Sequence, residues 1–317
     1  MEPWKIIVII CVAILLIDIA LFTIVVYAYL KAFHSPKKRR LLALTPKSEK
    51  NKELILSMKT SAESLKNEKF EPIYIFSNDK TKLFGRYYHI RDNAPLFIEF
   101  HGYKGTAFRD FAGGDMLFKT FGHNTLLVDQ RAHGSSGGKS ICFGIKERHD
   151  CLAWAKYATE RFGNIPIFLV GISMGGATVL MASNLELPSN VKGIIADCPY
   201  SSPKEIICKV CKKDLRLPPK LIYPFIKIGA IIFGGFNPNK SSAVESVKST
   251  KIPILLIHGK GDTFVPCEMS EKIYQSCTGE KYICTVDGAE HGMAFLYDMS
   301  KYEHTIKNFI DNQLSKN

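Results

Sequence analysis

Residues 167–176 read Ile-Phe-Leu-Val-Gly-Ile-Ser-Met-Gly-Gly, and this stretch decides the fold class. The run Ile167–Val170 is short and continuously apolar, which is typical of a strand buried on both faces of a sheet. Residues 175–185 favour a helix, so the glycines and the serine occupy a tight strand–turn–helix junction. Side chains at Gly171 and Gly175 would collide with neighbouring backbone in such a turn. The pattern G-x-S-x-G therefore predicts that Ser173 is an exposed nucleophile at the start of a helix.

The same alternation of short apolar runs and longer amphipathic stretches continues from residue 70 to the C-terminus. Strands are predicted at Phe70–Phe76, Leu83–Ile90, Pro95–Phe100, Thr125–Val128, Ile167–Val170, Val191–Ala196, Ile252–Ile257 and Tyr282–Val286. Helices are predicted at Ile145–Arg161, Gly175–Leu185, Pro266–Cys277 and Tyr297–Leu314. The first two strands form a hairpin across Ser77-Asn78-Asp79. The pattern predicts an α/β fold with a mostly parallel sheet of the eight-stranded type and helices on both faces.

A base and an orienting acid follow two other predicted strands. His291 lies in Gly-Ala-Glu-His-Gly directly after the last strand, and Asp262 follows the strand at Ile252–Ile257. Functional side chains in such sheets gather at the carboxyl ends of the strands. The chain order Ser173, Asp262, His291 is the order that a strained serine turn of this kind requires. The three residues therefore predict a Ser-His-Asp triad.

Two other acids and the remaining histidines compete with this triad. Asp197 ends the strand at Val191–Ala196, where a rival triad acid could stand. Asp129 is expected to tie down its own loop through Arg131, and His101 suits a loop that binds an oxyanion better than it suits a base. The histidines set aside lie in strands, turns, helices or the N-terminal flank: His34, His89, His123, His133, His149, His258 and His304.

Five motifs together resemble a known family. They are HGYKG at 101–105, DQRAHGSSGG at 129–138, GISMGG at 171–176, GKGDTFVP at 259–266 and AEHG at 289–292. The chain from about Phe70 onward resembles the α/β-hydrolases, in their serine-aminopeptidase-like and lysophospholipase-like branch. One position departs from the family pattern, since Ala132 stands where relatives usually carry glycine.

The resemblance implies roles for particular residues. Ser173 is the nucleophile, His291 the base and Asp262 the acid that orients it. The backbone N–H groups of Tyr103 and Met174 form the oxyanion hole. The resemblance implies no cofactor and no metal, because the reaction needs only water.

The N-terminal 40 residues predict a membrane anchor with a basic flank. Residues 6–30 form an apolar stretch that would make a helix of roughly 37 Å, long enough to cross a bilayer core. A cleaved signal peptide is the alternative, but its apolar run is usually only about 7–15 residues. Lys31 and the cluster at residues 37–40 predict a cytoplasmic C-terminal part by the positive-inside rule. Residues 41–69 are expected to be a linker or a surface helix, followed by the hydrolase domain at 70–317.

Composition excludes several classes of protein. Hydrophobic residues make up 46% and charged residues 23%, which is ordinary globular usage and not that of a disordered chain. The net charge of +12 is spread without a dense basic and aromatic stripe, so nucleic acid is not an expected partner. The nine cysteines are scattered and odd in number, which favours free thiols in a reducing compartment. Cys208 and Cys211 form a CxxC without a second pair to complete a zinc site.

Residues 198–247 interrupt the alternation and predict a small helical cap over Ser173. The segment is rich in Ile, Phe, Leu and Tyr, which favours a substrate with an apolar acyl portion, although these side chains would equally pack the cap onto the sheet. The expected substrate is a small-molecule or lipid acyl ester or thioester. A peptidase that releases N-terminal residues is the alternative enzyme, with Glu205 and Asp214 as the acids to hold an α-ammonium. The remaining alternative is a non-catalytic binding module tethered to the membrane.

Overall fold

A central eight-stranded sheet organises the molecule. The computed structural model describes residues 2–35 and 49–316, so the basic cluster at 37–40 and the start of the predicted linker lie outside the described residues. The strands are β1 Glu71–Phe76, β2 Lys82–Tyr88, β3 Leu96–Phe100, β4 Asn124–Asp129, β5 Ile167–Ile172, β6 Val191–Asp197, β7 Ile254–Gly259 and β8 Lys281–Val286. All eight predicted strands are present, and the predicted α/β fold is confirmed.

The strand order is β1-β2-β4-β3-β5-β6-β7-β8. β1 and β2 form the predicted antiparallel hairpin, and β2 pairs antiparallel with β4. Every pair from β4 to β8 is parallel. The carboxyl ends of β5, β7 and β8 therefore meet at one edge of the sheet, where ligands bind in sheets of this kind.

Helices connect the strands, and two further helices precede the sheet. They are α1 Pro3–Ala32, α2 Glu49–Asn67, α3 Ala107–Phe111, α4 Gly114–Thr120, α5 Glu147–Phe162, α6 Met174–Ala182, α7 Pro203–Lys209, α8 Pro219–Ile232, α9 Ala243–Ser246, α10 Glu268–Ser276, α11 Ala294–Tyr297 and α12 Met299–Leu314. The helix predicted at Tyr297–Leu314 is divided, because Asp298 leaves the helical conformation and its side chain accepts a hydrogen bond from Lys301 N.

The sheet has a hydrophobic core on each face. Helices α5, α6 and α10 cover one face around Trp154, and α3, α4 and α12 cover the other. On the second face Phe97 stacks on Phe118 with ring centroids 4.2 Å apart and on Phe168 at 5.0 Å. Removing one such buried ring costs about 3–5 kcal/mol, so these layers hold the strand ends in fixed positions.

Helix α1 extends away from the rest of the domain and contacts it only through its C-terminal part, mainly α8 and nearby loops. Residues from Pro3 to Ile24 are exposed, whereas Val25 and Tyr29 are buried, as is Phe33 just beyond the helix. By length and composition α1 is able to cross a membrane. Helix α2 lies within the predicted linker and buries Ala62 and Leu65.

The segment predicted as a cap consists of α7, a π-helical turn at Val210–Asp214, α8 and α9. Its inner side shares a hydrophobic cluster with Phe33, Phe143 and Met174. Met174 is the residue after Ser173, so the cap lies over the carboxyl edge of the sheet near the predicted nucleophile.

Candidate active site

Ser173 stands in a strained turn between β5 and α6, and it is buried (7% exposed) rather than exposed as predicted. Its backbone adopts φ 56° and ψ −113°, a conformation that costs about 1–3 kcal/mol outside glycine. A Cβ on Gly175 would lie 1.7 Å from the Phe100 carbonyl oxygen, and one on Gly171 would lie 2.2 Å from the Gly175 carbonyl carbon. The two glycines therefore let the turn approach the end of β3 closely, as the sequence predicts.

His291 connects the serine to the predicted acid. It lies in the loop after β8, with Nε2 2.9 Å from Ser173 Oγ and Nδ1 2.6 Å from Asp262 Oδ2. Because a carboxylate only accepts, Nδ1 carries the ring proton and donates it to Asp262. Nε2 is then free to accept the hydroxyl proton of Ser173. The structure thus brings the three predicted residues together from three separate strand ends.

The Asp262 carboxylate is buried and held by several donors. Its Oδ1 accepts hydrogen bonds from Phe264 N at 2.9 Å and Val265 N at 2.8 Å. Burial by itself raises the pKa of this carboxyl, but the hydrogen bonds from His258 and His291 outweigh burial and hold the pKa well below its usual range. Asp262 is therefore ionised throughout the neutral range.

His258 is a site residue that the sequence analysis missed. Its side chain is fully buried at the end of β7, with Nε2 2.9 Å from the Val265 carbonyl oxygen and 3.3 Å from Asp262 Oδ2. Since both oxygens accept, Nε2 carries the proton, and Nδ1 lies 2.6 Å from the Ser270 hydroxyl, which donates to it. His258 is thus a positioning residue for the acid. Its place directly after a predicted strand was the only signal in the sequence.

Asp197, the rival acid, is buried behind the serine. Its backbone carbonyl accepts from Ser173 N at 2.8 Å, and its Oδ2 accepts from the Tyr302 hydroxyl at 3.1 Å. Burial raises the pKa of Asp197 to about 6. The hydrogen bond of His291 Nδ1 goes to Asp262, which leaves Asp197 to support the backbone of the turn.

The expected pairing of Asp129 with Arg131 is wrong. Asp129 instead accepts two hydrogen bonds from Arg86 on β2, at 2.9 and 3.1 Å, because the antiparallel pairing of β2 with β4 places these side chains together. Arg131 donates to the buried carboxylate of Asp150 and to Asp79. Asp129 still secures its own loop, since its Oδ2 accepts from Ser135 N at 2.9 Å.

The predicted oxyanion loop lies beside the serine. A Cβ on Gly102 would lie 3.4 Å from Ser173 Cβ, so the backbone at 102–103 faces the nucleophile. Asp110 fixes this backbone by accepting from Gly102 N at 2.7 Å. His101 does not face the serine: its Nε2 accepts from Gln130 N, and its Nδ1 donates to the Gly102 carbonyl. The loop is therefore rigid, which an oxyanion-binding backbone requires.

Cys198 completes a group of three side chains with the ligand types that metals prefer. Its sulfur, a carboxylate oxygen of Asp262 and a ring nitrogen of His291 lie within 4.8 Å of one another. Burial raises the pKa of the Cys198 thiol well above its usual range, so the sulfur keeps its proton. A protonated thiol is a poor ligand, and the other two groups already bind each other. The arrangement favours proton transfer over metal binding.

Comparison with known proteins finds two matching families. Residues 95–209 match the model of the alpha/beta hydrolase fold family, and residues 204–291 match that of the serine hydrolase (FSH1) family. The uncharacterized protein YqkD of Bacillus subtilis is 30% identical over 62% of this chain and 65% of its own length. Lysophosphatidylserine lipase ABHD12 of Danio rerio is 24% identical over 59% of this chain and 48% of its own. The chain thus spans about half to two thirds of these relatives.

Solved structures share the fold. The Pyrococcus furiosus esterase Pf2001 superposes with a TM-score of 0.65 at 22% identity, over 89% of this chain and 98% of the esterase. Est1E of Butyrivibrio proteoclasticus, solved with ferulic acid bound, gives 0.60 at 22% identity over 77% of this chain and all of Est1E. The likeness extends over the whole domain and confirms the resemblance found in the sequence motifs.

Proposed function

The chain belongs to the α/β-hydrolase family, and we propose that it is a membrane-anchored serine hydrolase that cleaves an acyl ester or thioester. The observation that carries the proposal is His291, whose two ring nitrogens bind Ser173 Oγ and the ionised Asp262 at 2.9 and 2.6 Å. This arrangement activates a serine at neutral pH, because the base is within reach of the hydroxyl proton and is oriented by a carboxylate.

The chemistry has two steps. His291 Nε2 takes the proton of Ser173 as Oγ attacks the acyl carbon, and it then gives that proton to the departing alcohol or thiol. Water next attacks the acyl-enzyme, with His291 again taking and returning one proton, so that the acid is released and the serine restored. Asp262 stabilises the imidazolium that forms in each step.

The backbone N–H groups of Tyr103 and Met174 form the oxyanion hole in this mechanism. They belong to two elements that meet at Ser173, since the Gly102 backbone contacts the serine and Met174 begins α6. Each donor to the developing oxyanion is worth about 2.7–4 kcal/mol in enzymes of this type.

The surroundings of the site favour an apolar acyl group. Met174 lies in a hydrophobic cluster with Phe143, Tyr200 and Val265, while Phe264 contacts the His291 ring edge with centroids 5.1 Å apart. Three relatives at 24–25% identity are named lysophosphatidylserine lipases, and that activity belongs to those proteins. Together these observations support an acyl ester of a single-chain lipid as the substrate class.

The two cap acids that the peptidase alternative would use to hold an α-ammonium are already paired. Glu205 forms an ion pair with Lys272 and a hydrogen bond with Ser201. Asp214 lies 3.1 Å from Lys209. Both acids that the sequence offered for this role are therefore neutralised by lysines.

The binding-module alternative leaves the strained turn unexplained. A scaffold gains nothing from holding Ser173 at φ 56° with a base against its hydroxyl. Such strain is found where function requires it.

The contacts of α1 support a retained membrane anchor over a cleaved signal peptide. Phe33 is fully buried, with its ring 5.5 Å from that of Phe143 and 5.1 Å from that of Phe236. The Tyr103 hydroxyl donates to the Ala32 carbonyl at 2.7 Å. Cleavage within the last turns of α1 would remove Phe22 and Val25, which pack against Phe233 and Gly229 of the cap. The basic residues that follow α1 support a cytoplasmic catalytic domain.

The test compares esters with amides. Acyl esters of increasing chain length and aminoacyl amides are offered to the full-length protein in detergent, with Ser189→Ala, an exposed loop serine, as a matched control for Ser173→Ala. The proposal predicts that kcat/KM rises with acyl length and that only Ser173→Ala abolishes it. Faster cleavage of the amides would support the peptidase instead.

A further inference from the structure

The cap helix α8 carries exposed apolar side chains in addition to those of its packed face. Its inner face is buried against the cap and α1 through Tyr223, Ile226, Gly229 and Ala230. Its outer face, by which we mean the exposed side chains of Leu221, Ile228, Ile231 and Ile232, is not covered by another element of the described chain. Ile232 is 62% exposed and Leu221 61%. Helices that are apolar all round are stable when protein or lipid surrounds them.

Helix α1 indicates what covers this face. A Cβ on Gly229 would lie 2.9 Å from the Val25 carbonyl oxygen and 3.0 Å from Tyr29 Cβ, so the two helices cross in close contact. The Phe233 ring lies between two rings of α1, with centroids 5.4 Å from Tyr29 and 6.1 Å from Phe22. Helix α8 is thereby fixed at the height of residues 22–29 of α1.

If α1 spans the bilayer, residues 22–29 of α1 lie at the edge of its hydrocarbon core. The exposed part of α1, from Pro3 to Ile24, is about 33 Å long at 1.5 Å per residue. This length matches the hydrocarbon core of about 30 Å. The boundary between acyl chains and headgroups therefore falls near Phe22 and Val25, and α8 crosses α1 there.

Charges beside the outer face are complementary to acidic headgroups. Lys212, Lys213, Arg216 and Lys220 are exposed just before α8 and in its first turn. The acid in this segment, Asp214, pairs with Lys209. Basic side chains close to an anionic membrane surface are attracted to it.

We propose that the outer face of α8 lies in the headgroup–acyl boundary of the bilayer that α1 enters. The proposal rests on the anchor role of α1 in the proposed function. It also places the site at the membrane, because the Tyr103 hydroxyl donates to the Ala32 carbonyl and Lys104 Nζ to the Lys31 carbonyl. The oxyanion loop therefore lies directly above the same boundary, and an acyl ester reaches Ser173 from the lipid.

Depth-dependent fluorescence tests this placement. In a Trp4→Phe background, Ile232→Trp is compared with Lys156→Trp, an exposed position on α5, while buried Trp154 is common to both. The full chain is reconstituted in phosphatidylcholine–phosphatidylglycerol vesicles with brominated acyl chains. We expect the tryptophan at 232 to emit at shorter wavelength and to be quenched, and that at 156 to be unaffected. Equal emission and quenching at the two positions overturns the proposal, as does concentration-dependent self-association that protects position 232 from the bromines.

A rate ratio tests the consequence for the substrate. The measured quantity is the rate on an acyl ester embedded in vesicles divided by the rate on a soluble ester. For the double variant Ile228→Asp/Ile232→Asp, we expect this ratio to fall at least about tenfold, because neither side chain at these positions is then buried in lipid. An unchanged ratio overturns delivery from the lipid.

Labelling of Ser173 by a fluorophosphonate in the same vesicles separates the two proposals. Quenching at position 232 without labelling overturns the hydrolase and supports the membrane surface. Labelling without quenching overturns only the proposal that α8 lies in the membrane and leaves the hydrolase proposal standing.

Discussion

His258 Nε2 lies 3.3 Å from Asp262 Oδ2, the same carboxylate oxygen that accepts from His291 Nδ1 at 2.6 Å. The acid therefore has a second histidine donor, and this donor is fully buried and fixed by Ser270 and Val265. The hydrogen bond from His258 lowers the pKa of Asp262 and helps to keep its carboxylate ionised. Asp262 therefore orients His291, and His258 in turn orients Asp262.

Replacing His258 tests this positioning role. We expect His258→Leu to lower kcat by about tenfold with little change in KM, because the carboxylate loses one of its donors and its fixed orientation. His258→Gln, which can still donate to Asp262, is expected to restore most of the rate. Equal losses in both variants, or a change in KM alone, would show that His258 only fills space. The measurement is steady-state kinetics on an acyl ester.

Asp197 makes the free energy of unfolding depend on pH. Burial raises its pKa from 3.8 to about 6, so between these values the folded protein binds more protons than the unfolded chain. The contribution of Asp197 to the free energy of unfolding is therefore largest below about pH 4. This contribution is lost as the pH rises through 6. We expect Asp197→Asn, which keeps an acceptor for Tyr302, to raise the free energy of unfolding at pH 7 by roughly 3 kcal/mol and therefore to unfold at a higher temperature.

The control for Asp197→Asn is the same comparison at pH 4. There the wild-type carboxyl is largely protonated in the folded protein, so the two proteins are expected to differ much less. A difference that is independent of pH would contradict the assignment. Thermal unfolding in detergent over a pH series measures both.

The glycines near the serine are expected to differ sharply from glycines elsewhere. Gly175→Ala places a methyl group against the Phe100 carbonyl, at 1.7 Å before any shift, so the turn must move and Ser173 labelling is expected to be lost. A Cβ at Gly163→Ala meets no atom within 4 Å, so the cost comes only from its backbone conformation, φ 75° and ψ −155°, about 1–3 kcal/mol. Labelling and thermal unfolding of both variants check this, and similar effects would contradict it.

Arg131, in the loop that follows β4, forms a buried ion pair. Its guanidinium binds Asp150, which is almost fully buried, and Asp79. Arg131→Met leaves a buried carboxylate without its partner, so we expect a loss of about 3–5 kcal/mol in the free energy of unfolding. The control is Arg161→Met, which breaks an exposed pair with Glu71 and is expected to cost about 0–1 kcal/mol. Denaturant unfolding measures both, and equal costs would contradict the account.

The strands and the three site residues were predictable because each signal is local. Ser173, Asp262 and His291 each directly follow an apolar run, and the carboxyl ends of parallel strands meet at one edge. The glycines of the serine turn were predictable for the same reason, since the clash they avoid arises within a few residues and the adjoining strand end.

The remaining features depend on contacts between distant segments. Asp129 binds Arg86 because β2 runs antiparallel beside β4. The sequence of residues 129–138 alone does not indicate this pairing of strands. His258 supports Asp262 only because the chain turns back on itself after β7. The contact between Gly229 and Val25 joins residues about 200 positions apart, and nothing in either segment indicates the other.

The most direct test of the central claim is fluorophosphonate labelling of the full-length protein beside its Ser173→Ala and Ser189→Ala variants. The account predicts that the wild type and Ser189→Ala are labelled on Ser173 and that Ser173→Ala is not. Labelling that persists in Ser173→Ala, or a folded wild-type protein that takes no label, would contradict the assignment of Ser173 as an activated nucleophile.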